Sequence, residues 1–164
     1  MDAKIEGKPV RESAYEYSEL ALPNDSNGLG NVLGGKVMHL VDLAAAIAGL
    51  RHARCRVVTA SVDHLDFLHP VHIGELIMLR ASVNRVFRTS MEIGVKVMTE
   101  KMLNGERMHT CSAYLTFVAI DQDGKAIPIP PVIPETEDEK RRYRQAGERR
   151  EARLALRNKL RADC

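Results

Sequence analysis

Apolar residues run almost unbroken from Val37 to Leu50, where Val37, Met38, Leu40, Val41, Leu43 to Ala48 and Leu50 leave no polar face. A helix that is apolar all round is a buried one. Lys36, His39 and Asp42 interrupt the run, and it is too short to span a bilayer. The pattern predicts a core helix from about Gly35 to His52. A turn-rich stretch from Pro23 to Gly35, crowded with Asn, Asp, Ser and Gly, leads into it. Arg51 to Arg56, with three arginines and a histidine, suits the helix end and a turn.

Downstream the apolar period shortens to two. Val57 to Phe67, Glu75 to Phe87, Ser90 to Lys101 and Arg107 to Asp121 read as strands. The third sets Met91, Ile93, Val95 and Val97 against Glu92, Gly94 and Lys96. Arg88-Thr89 and Asn104-Gly105 stand at hairpin positions, and Asp123-Gly124 closes the last strand. Consecutive strands joined by short turns predict an antiparallel sheet. Val10 to Ala21 supplies a further strand with one wet face. Met1 to Pro9 reads as a loose terminus. Ile127 to Pro134 holds four prolines in eight residues and reads as an extended connector, not a strand. Thr136 with Glu139 matches a capping box, so a second helix is expected from about Glu137 to Leu160. Its large apolar residues are few, and core packing is not its expected task.

The expected architecture is α+β: an antiparallel sheet of about five strands around one long buried helix, with a charged C-terminal helix. Residues 1–134 form the domain and 135–164 a helical extension. One sheet around one helix leaves open edges, so a homodimer is expected.

Composition refines this only slightly. The chain has 164 residues, 45% hydrophobic and 28% charged, which suits one globular domain. A net charge of +2 gives no reason to expect nucleic acid, and no membrane-spanning or secretory segment is visible. Residues 135–164 hold 10 Lys and Arg against 7 Asp and Glu, while residues 1–134 hold 14 against 15. The positive excess therefore lies in the tail. Cys55, Cys111 and Cys164 form an odd set without close pairing, which favours free thiols and a reducing, cytoplasmic setting.

Asp42 is the odd residue of the apolar helix. A buried carboxylate must be paired, protonated or used, because burying it alone is costly.

Several runs together resemble a known family. They are Pro23-Asn24-Asp25-Ser26-Asn27, Gly30-Asn31-Val32-Leu33-Gly34-Gly35, and Met38 with Asp42. Val57 to Asp63, Phe67 with Pro70 and Gly74, Thr89-Ser90-Met91-Glu92, Thr116-Phe117-Val118 and Pro134 to Lys140 agree as well. In order and spacing these resemble the hot-dog acyl-CoA thioesterases, in particular the YciA-like and brain-type hydrolases, over roughly residues 10–150. The resemblance implies a helix wrapped by an antiparallel sheet, paired into a double hot dog and often into trimers of dimers. It implies hydrolysis of acyl-CoA to a free carboxylic acid and CoA, with no cofactor beyond the CoA of the substrate. The family's catalytic Asn and Asp, shared across the dimer interface, fall on Asn27 and Asp42. Leu33 departs from the Phe or His more usual in relatives.

These residue types suit the chemistry. Thioester hydrolysis needs an activated water or nucleophile and donors for the developing oxyanion. Asp42 serves as general base or as nucleophile. Asn27 orients the water or substrate, or simply satisfies its own turn. Gly34 and Gly35 bring bare backbone N–H groups to a helix start. Arg88, Thr89, Ser90 and Met91 suit the CoA arm, or form a plain hairpin turn. Arg149, Arg150 and Arg153 reach a phosphate, or form a solvated or subunit-facing helix.

Rival readings have less support. His64, His69 and His72 lie near Asp63 and Asp66, but no His-x3-His or Cys-x2-Cys spacing marks a metal site. No Gly-x-Ser-x-Gly elbow is present, and Cys55 and Cys111 are flanked by apolar residues. The non-enzymatic alternative is an acyl-CoA sensor on the same fold, which would keep the groove without turnover.

Overall fold

A computed structural model describes residues 5–162. Seven strands and two helices follow one another in the chain. They are β1 (Lys8–Pro9), β2 (Tyr15–Leu20), α1 (Gly34–Ala53), β3 (Arg56–Phe67) and β4 (Leu76–Phe87). Then come β5 (Ser90–Glu100), β6 (Arg107–Ile120), β7 (Val132–Ile133) and α2 (Glu137–Ala162). Five of the strands make one antiparallel sheet in the order β2-β4-β5-β6-β3. This is the hot-dog arrangement the sequence implied, with α1 packed along the inner face.

The inner face is the apolar half of each strand. Met91, Ile93, Val95 and Val97 of β5 are all buried, as are Ile77, Leu79, Ala81 and Val83 of β4. They meet Val37, Leu40, Val41, Ala44, Ala45 and Ala48 of α1. Small residues let the helix lie close. A Cβ at Gly49 would stand 2.9 Å from the Met91 methyl, so only glycine fits there without displacement. The helix ends with Arg54 in the left-handed region at φ 52°, beyond which β3 runs back along it.

Three expectations need correction. The α1 helix is not buried all round: Met38, Leu43 and Leu50 are each 45% exposed. The sheet covers one side of α1, so the other side stays open in the single chain, beside edge strand β3. Lys8–Pro9 and Val132–Ile133 were expected to be loose terminus and connector, yet they pair as a short parallel ladder. A two-residue ladder leaves no periodicity to read; residues 1–4 lie outside the described region. Only Tyr15–Leu20 of the Val10–Ala21 stretch is strand, because a 3₁₀ turn takes Val10–Glu12.

The α2 helix begins as expected. The Glu139 N–H donates to Thr136 Oγ1 at 3.2 Å and the Thr136 N–H to Glu139 Oε2 at 3.1 Å, the reciprocal bonds of a capping box. The helix then crosses the outer face of the sheet, where strand alternation had left polar residues. Glu92, on that face, is 4% exposed. Arg149 forks onto it at 2.7 and 3.0 Å and Asn84 Nδ2 donates to it at 2.9 Å. Arg149 also stacks 3.7 Å over the Tyr114 ring. Arg153 Nε lies 3.2 Å from Asp63 Oδ1, and Thr116 donates to Asp63 Oδ2 at 2.5 Å. The tail is therefore docked by paired charges rather than by apolar bulk. Arg149 and Arg153, which were candidates for a phosphate, are occupied within the chain.

Candidate active site

The loop before α1 folds on its own polar groups. Asn27 Oδ1 accepts the Leu29 N–H at 2.9 Å, while the Asn27 N–H donates to the Asn31 carbonyl at 2.8 Å. Gly28 and Gly30 take φ 83° and 82°, a backbone region that suits glycine. The loop is fastened to the chain before β4: Val32 N–H donates to the Val71 carbonyl at 2.8 Å, and His72 Nδ1 lies 2.8 Å from Asn31 Oδ1. Lys36 Nζ meets Glu19 at 2.9 Å and Asp25 at 3.6 Å, tying helix start, loop and β2 together.

A cleft of about 310 Å³ opens at this helix start, lined by Asn27, Asn31, Gly34, Phe67 and His69 among others. No side chain caps the α1 N-terminus. The first helical N–H groups, at Gly34 and Gly35, therefore retain donor capacity and the positive end of the helix dipole. A Cβ at Gly35 would touch nothing within 4 Å, and one at Gly34 would stand 3.6 Å from the Phe67 ring. A planar acyl group can thus approach the backbone here.

Asp42 lies elsewhere. It is two turns into α1, about 12 Å along the axis from Gly34 at ~1.5 Å per residue, and it does not line the Asn27 cleft. Its Oδ1 accepts a hydrogen bond from Thr59 Oγ1 at 2.8 Å, on the open side of the helix beside β3. The single chain therefore holds Asn27 and Asp42 in two separate places. Thr59 went unassigned in the sequence, since its pairing with Asp42 depends on the register of β3 against α1.

The β4–β5 hairpin carries the remaining candidates. Arg88 is exposed at the turn with φ 51°. Thr89 and Ser90 are half-buried, and Ser90 Oγ accepts from Arg150 at 3.2 Å. Met91 is fully buried against α1. It belongs to the core rather than to a CoA-contacting surface, because alternation turns it inward with Ile93 and Val95.

Other titratable groups have local duties. His64 pairs with Asp66 at 2.8 Å, and Asp63 is held by α2. Among the described residues no His, Cys, Asp or Glu cluster has the arrangement of a metal site. Burial pushes the Cys111 thiol up to about 11 and raises that of Cys55, so neither favours its thiolate. Cys164 lies outside the described residues. Among those residues, no helix is long and apolar enough to cross a membrane.

Comparison with known proteins agrees with this geometry. Residues 29–106 match the model of the thioesterase superfamily. An acyl-CoA thioester hydrolase of Bacillus subtilis is 41% identical over 79% of this chain and 75% of its own length. A crystal structure of an apo-hexameric acyl-CoA thioesterase superposes with a TM-score of 0.91 at 42% identity, over 93% of this chain and 97% of that one. The acyl-CoA hydrolase of Staphylococcus aureus, solved with butyryl-CoA, CoA and CoA disulfide, superposes with a TM-score of 0.89 at 35% identity, covering 95% of each chain. It has also been solved with an asparagine, an aspartate or a threonine replaced by alanine. With its five-stranded sheet packed on one side of α1 and its uncapped Gly-Gly entry, the chain belongs to the thioesterase superfamily, in the hot-dog acyl-CoA hydrolase group.

Proposed function

We propose that the protein hydrolyses acyl-CoA to a free carboxylic acid and CoA, with Asp42 as the reacting carboxylate. The observation that carries this is the Asp42–Thr59 pair. A carboxylate on an otherwise apolar helix face is held in one orientation by a threonine hydroxyl at 2.8 Å, and among the described residues its Oδ2 has no hydrogen-bond partner. That oxygen takes a proton from a water that attacks the acyl carbon, or itself attacks it to form an acyl anhydride that water then hydrolyses. The C–S bond breaks as the tetrahedral centre collapses, and CoA leaves as a thiolate that takes up the proton released from the water. The Gly34 and Gly35 N–H groups receive the developing oxyanion, and Asn27 aligns the water or the carbonyl. Arg88, Thr89 and Ser90 hold part of the CoA arm. The three residues replaced by alanine in the S. aureus enzyme are spaced 15 and 17 positions apart. Asn27, Asp42 and Thr59 have the same two intervals, which supports these roles.

The site is completed by a second copy of the chain. Asn27 and Asp42 stand apart in one protomer, and the surface beside Asp42 is apolar and open. Met38, Leu43 and Leu50 of α1 and Val58, Val62 and Phe67 of β3 are each 44–47% exposed. Pairing β3 with its symmetry mate would continue the sheet across the dimer and cover these residues. Dimers then associate in threes, the arrangement consistent with the hexameric relative.

Thiol release from acyl-CoA, followed with a thiol reagent, tests the reading. Asp42→Asn should fold and lose on the order of a hundredfold or more in kcat. Retained turnover in that variant would remove Asp42 from the chemistry. Binding of acyl-CoA by the native protein without any thiol release would make it a sensor.

A further inference from the structure

The α2 helix is longer than the sheet it crosses. Tyr143 stacks with the Arg85 guanidinium of β4, 4.4 Å from its ring centre. Arg149 holds Glu92 of β5 and lies 3.7 Å over the Tyr114 ring of β6. Arg153 reaches Asp63 of β3 at 3.2 Å. The helix thus crosses the strands in their spatial order, towards the β3 edge. From Tyr143 to Arg153 it rises about 15 Å at ~1.5 Å per residue, close to three strand spacings of ~4.8 Å. Arg153 therefore stands over the last strand, yet the helix continues to Ala162. Leu160 lies about 10 Å beyond the edge, two further strand spacings out.

The row of side chains that docks the helix does not stop at that edge. Ala146, Arg149, Arg153, Leu156 and Leu160 recur at alternating intervals of three and four, which keeps them on one side of a helix. Ala146 is fully buried, and the two arginines are paired with carboxylates of the sheet. Leu156 and Leu160 continue the row but are 59% and 58% exposed. Every residue from Ala155 to Ala162 is exposed. The row changes from arginine to leucine where the sheet of its own chain ends, so the leucines face a surface this chain does not supply. Arg157, Lys159 and Arg161 flank them, with no acid between Ala155 and Ala162. On the outer face of β3, opposite Ser112, Asp66 keeps an exposed carboxylate that such cations would meet.

We propose that the last two turns of α2, through Leu156 and Leu160, pack on the outer face of β3 and β6 of a second copy of this chain and strap the two sheets together. The proposal rests on the β3-to-β3 pairing proposed above and not on the hydrolysis reading. When β3 meets its symmetry mate, the partner's strands continue the sheet at the same spacing. The places about 5 and 10 Å beyond β3 are then taken by the partner's β3 and β6. These are the distances that Leu156 and Leu160 reach. A two-fold axis gives both chains the same overhang, so each protomer straps the other. The backbone pairing of the edge strands is thereby covered on its outer side by two helix ends.

Subunit exchange between light and isotope-labelled full chains, followed by native mass spectrometry, tests the strap. Chains that exchange singly give assemblies with an odd number of labelled copies, whereas exchange of whole dimers gives only even numbers. Leu156→Glu/Leu160→Glu should speed single-chain exchange tenfold or more, because it sets two carboxylates into an apolar contact. Leu156→Ala/Leu160→Ala keeps helix propensity and should speed it by a smaller factor. Circular dichroism verifies that helix content is unchanged. In a second measurement Leu160 is replaced by photoreactive benzoylphenylalanine in a mixture of light and labelled chains. Irradiation should link it to peptides of β3 or β6, with light-to-labelled pairs among the products. Links within one chain only, or to other surfaces, would overturn the proposal. So would native exchange rates in both variants, or faster exchange of whole dimers alone, which would place the leucines between dimers. A monomeric native protein would remove the β3 pairing together with the strap; a native dimer indifferent to both variants would remove the strap alone. None of these readouts uses thiol release, so the hydrolase reading stands or falls separately.

Discussion

Thr59 Oγ1 donates to Asp42 Oδ1 at 2.8 Å and thereby couples the edge strand β3 to the middle of α1. The bond engages Oδ1 and leaves Oδ2 as the oxygen to which the proposed function assigns the reaction. Thr59→Val keeps the shape and removes the donor. It should lower kcat by about tenfold, less than loss of Asp42 itself, with little change in thermal stability because Thr59 is exposed. Unchanged kcat would show that the hydroxyl does not position the carboxylate.

Separation of Asn27 from Asp42 within one chain has a direct consequence for mixed oligomers. Asn27→Ala and Asp42→Asn proteins, each inactive alone, should regain activity after subunit exchange. In a mixed dimer one site draws both altered residues and the other draws both native ones, so activity returns to about half per mixed dimer. Mass spectrometry establishes that exchange has occurred. Exchange without recovery would place both residues of each site in one chain.

Glu92 is the anchor of α2. Its side chain is 5% exposed and faces Arg149 and Asn84. Glu92→Ala leaves a desolvated guanidinium without its partner, so stability should fall by about 3 kcal/mol, within the range for breaking a buried pair from one side. Urea denaturation measures this. A loss below about 1 kcal/mol would indicate that the pair is effectively solvent-exposed.

His52 links stability to pH. The ring is fully buried at the end of α1, with Nε2 2.8 Å from the Pro130 carbonyl and Nδ1 without a partner. Burial lowers its pKa below the ordinary 6.5, partly opposed by the Pro130 bond. Below about 6.5 the unfolded chain therefore binds a proton that the fold excludes. The contribution is full above that pH and is lost as pH falls toward the depressed folded value. Stability measured from pH 7.5 to 5 should decline on the acid side, and His52→Gln should flatten the decline. An identical slope in both proteins would exclude His52 as its source.

The sequence exposed these features unevenly. The alternation of Met91, Ile93, Val95 and Val97 revealed both strand and inner face, and Thr136 with Glu139 marked the α2 start, because those signals are local. Glu92 looked like a solvent-facing residue by the same alternation. What buries it is a helix whose docking arginine lies 57 positions away, a contact no local pattern reports. Thr59 escaped for the same reason. Asp42 stood out as the lone acid of an apolar helix, its pairing with Asn27 came through resemblance, and the open side of α1 could not be told from a buried one while its apolar residues looked alike.

The two clamps on α2 also bear on the order of assembly. Glu92 belongs to β5 and Asp63 to β3, with Thr116 of β6 between them. No one strand can hold the helix, and α2 follows all five strands of the sheet in the chain. Contacts this distant in sequence form late, after loop closure has been met by the sheet. Until α2 arrives, two carboxylates on the outer face lack their cations. The helix thus acts as a closing latch that engages only on a correctly registered β3-β6-β5 surface, so its docking is a readout of completed folding.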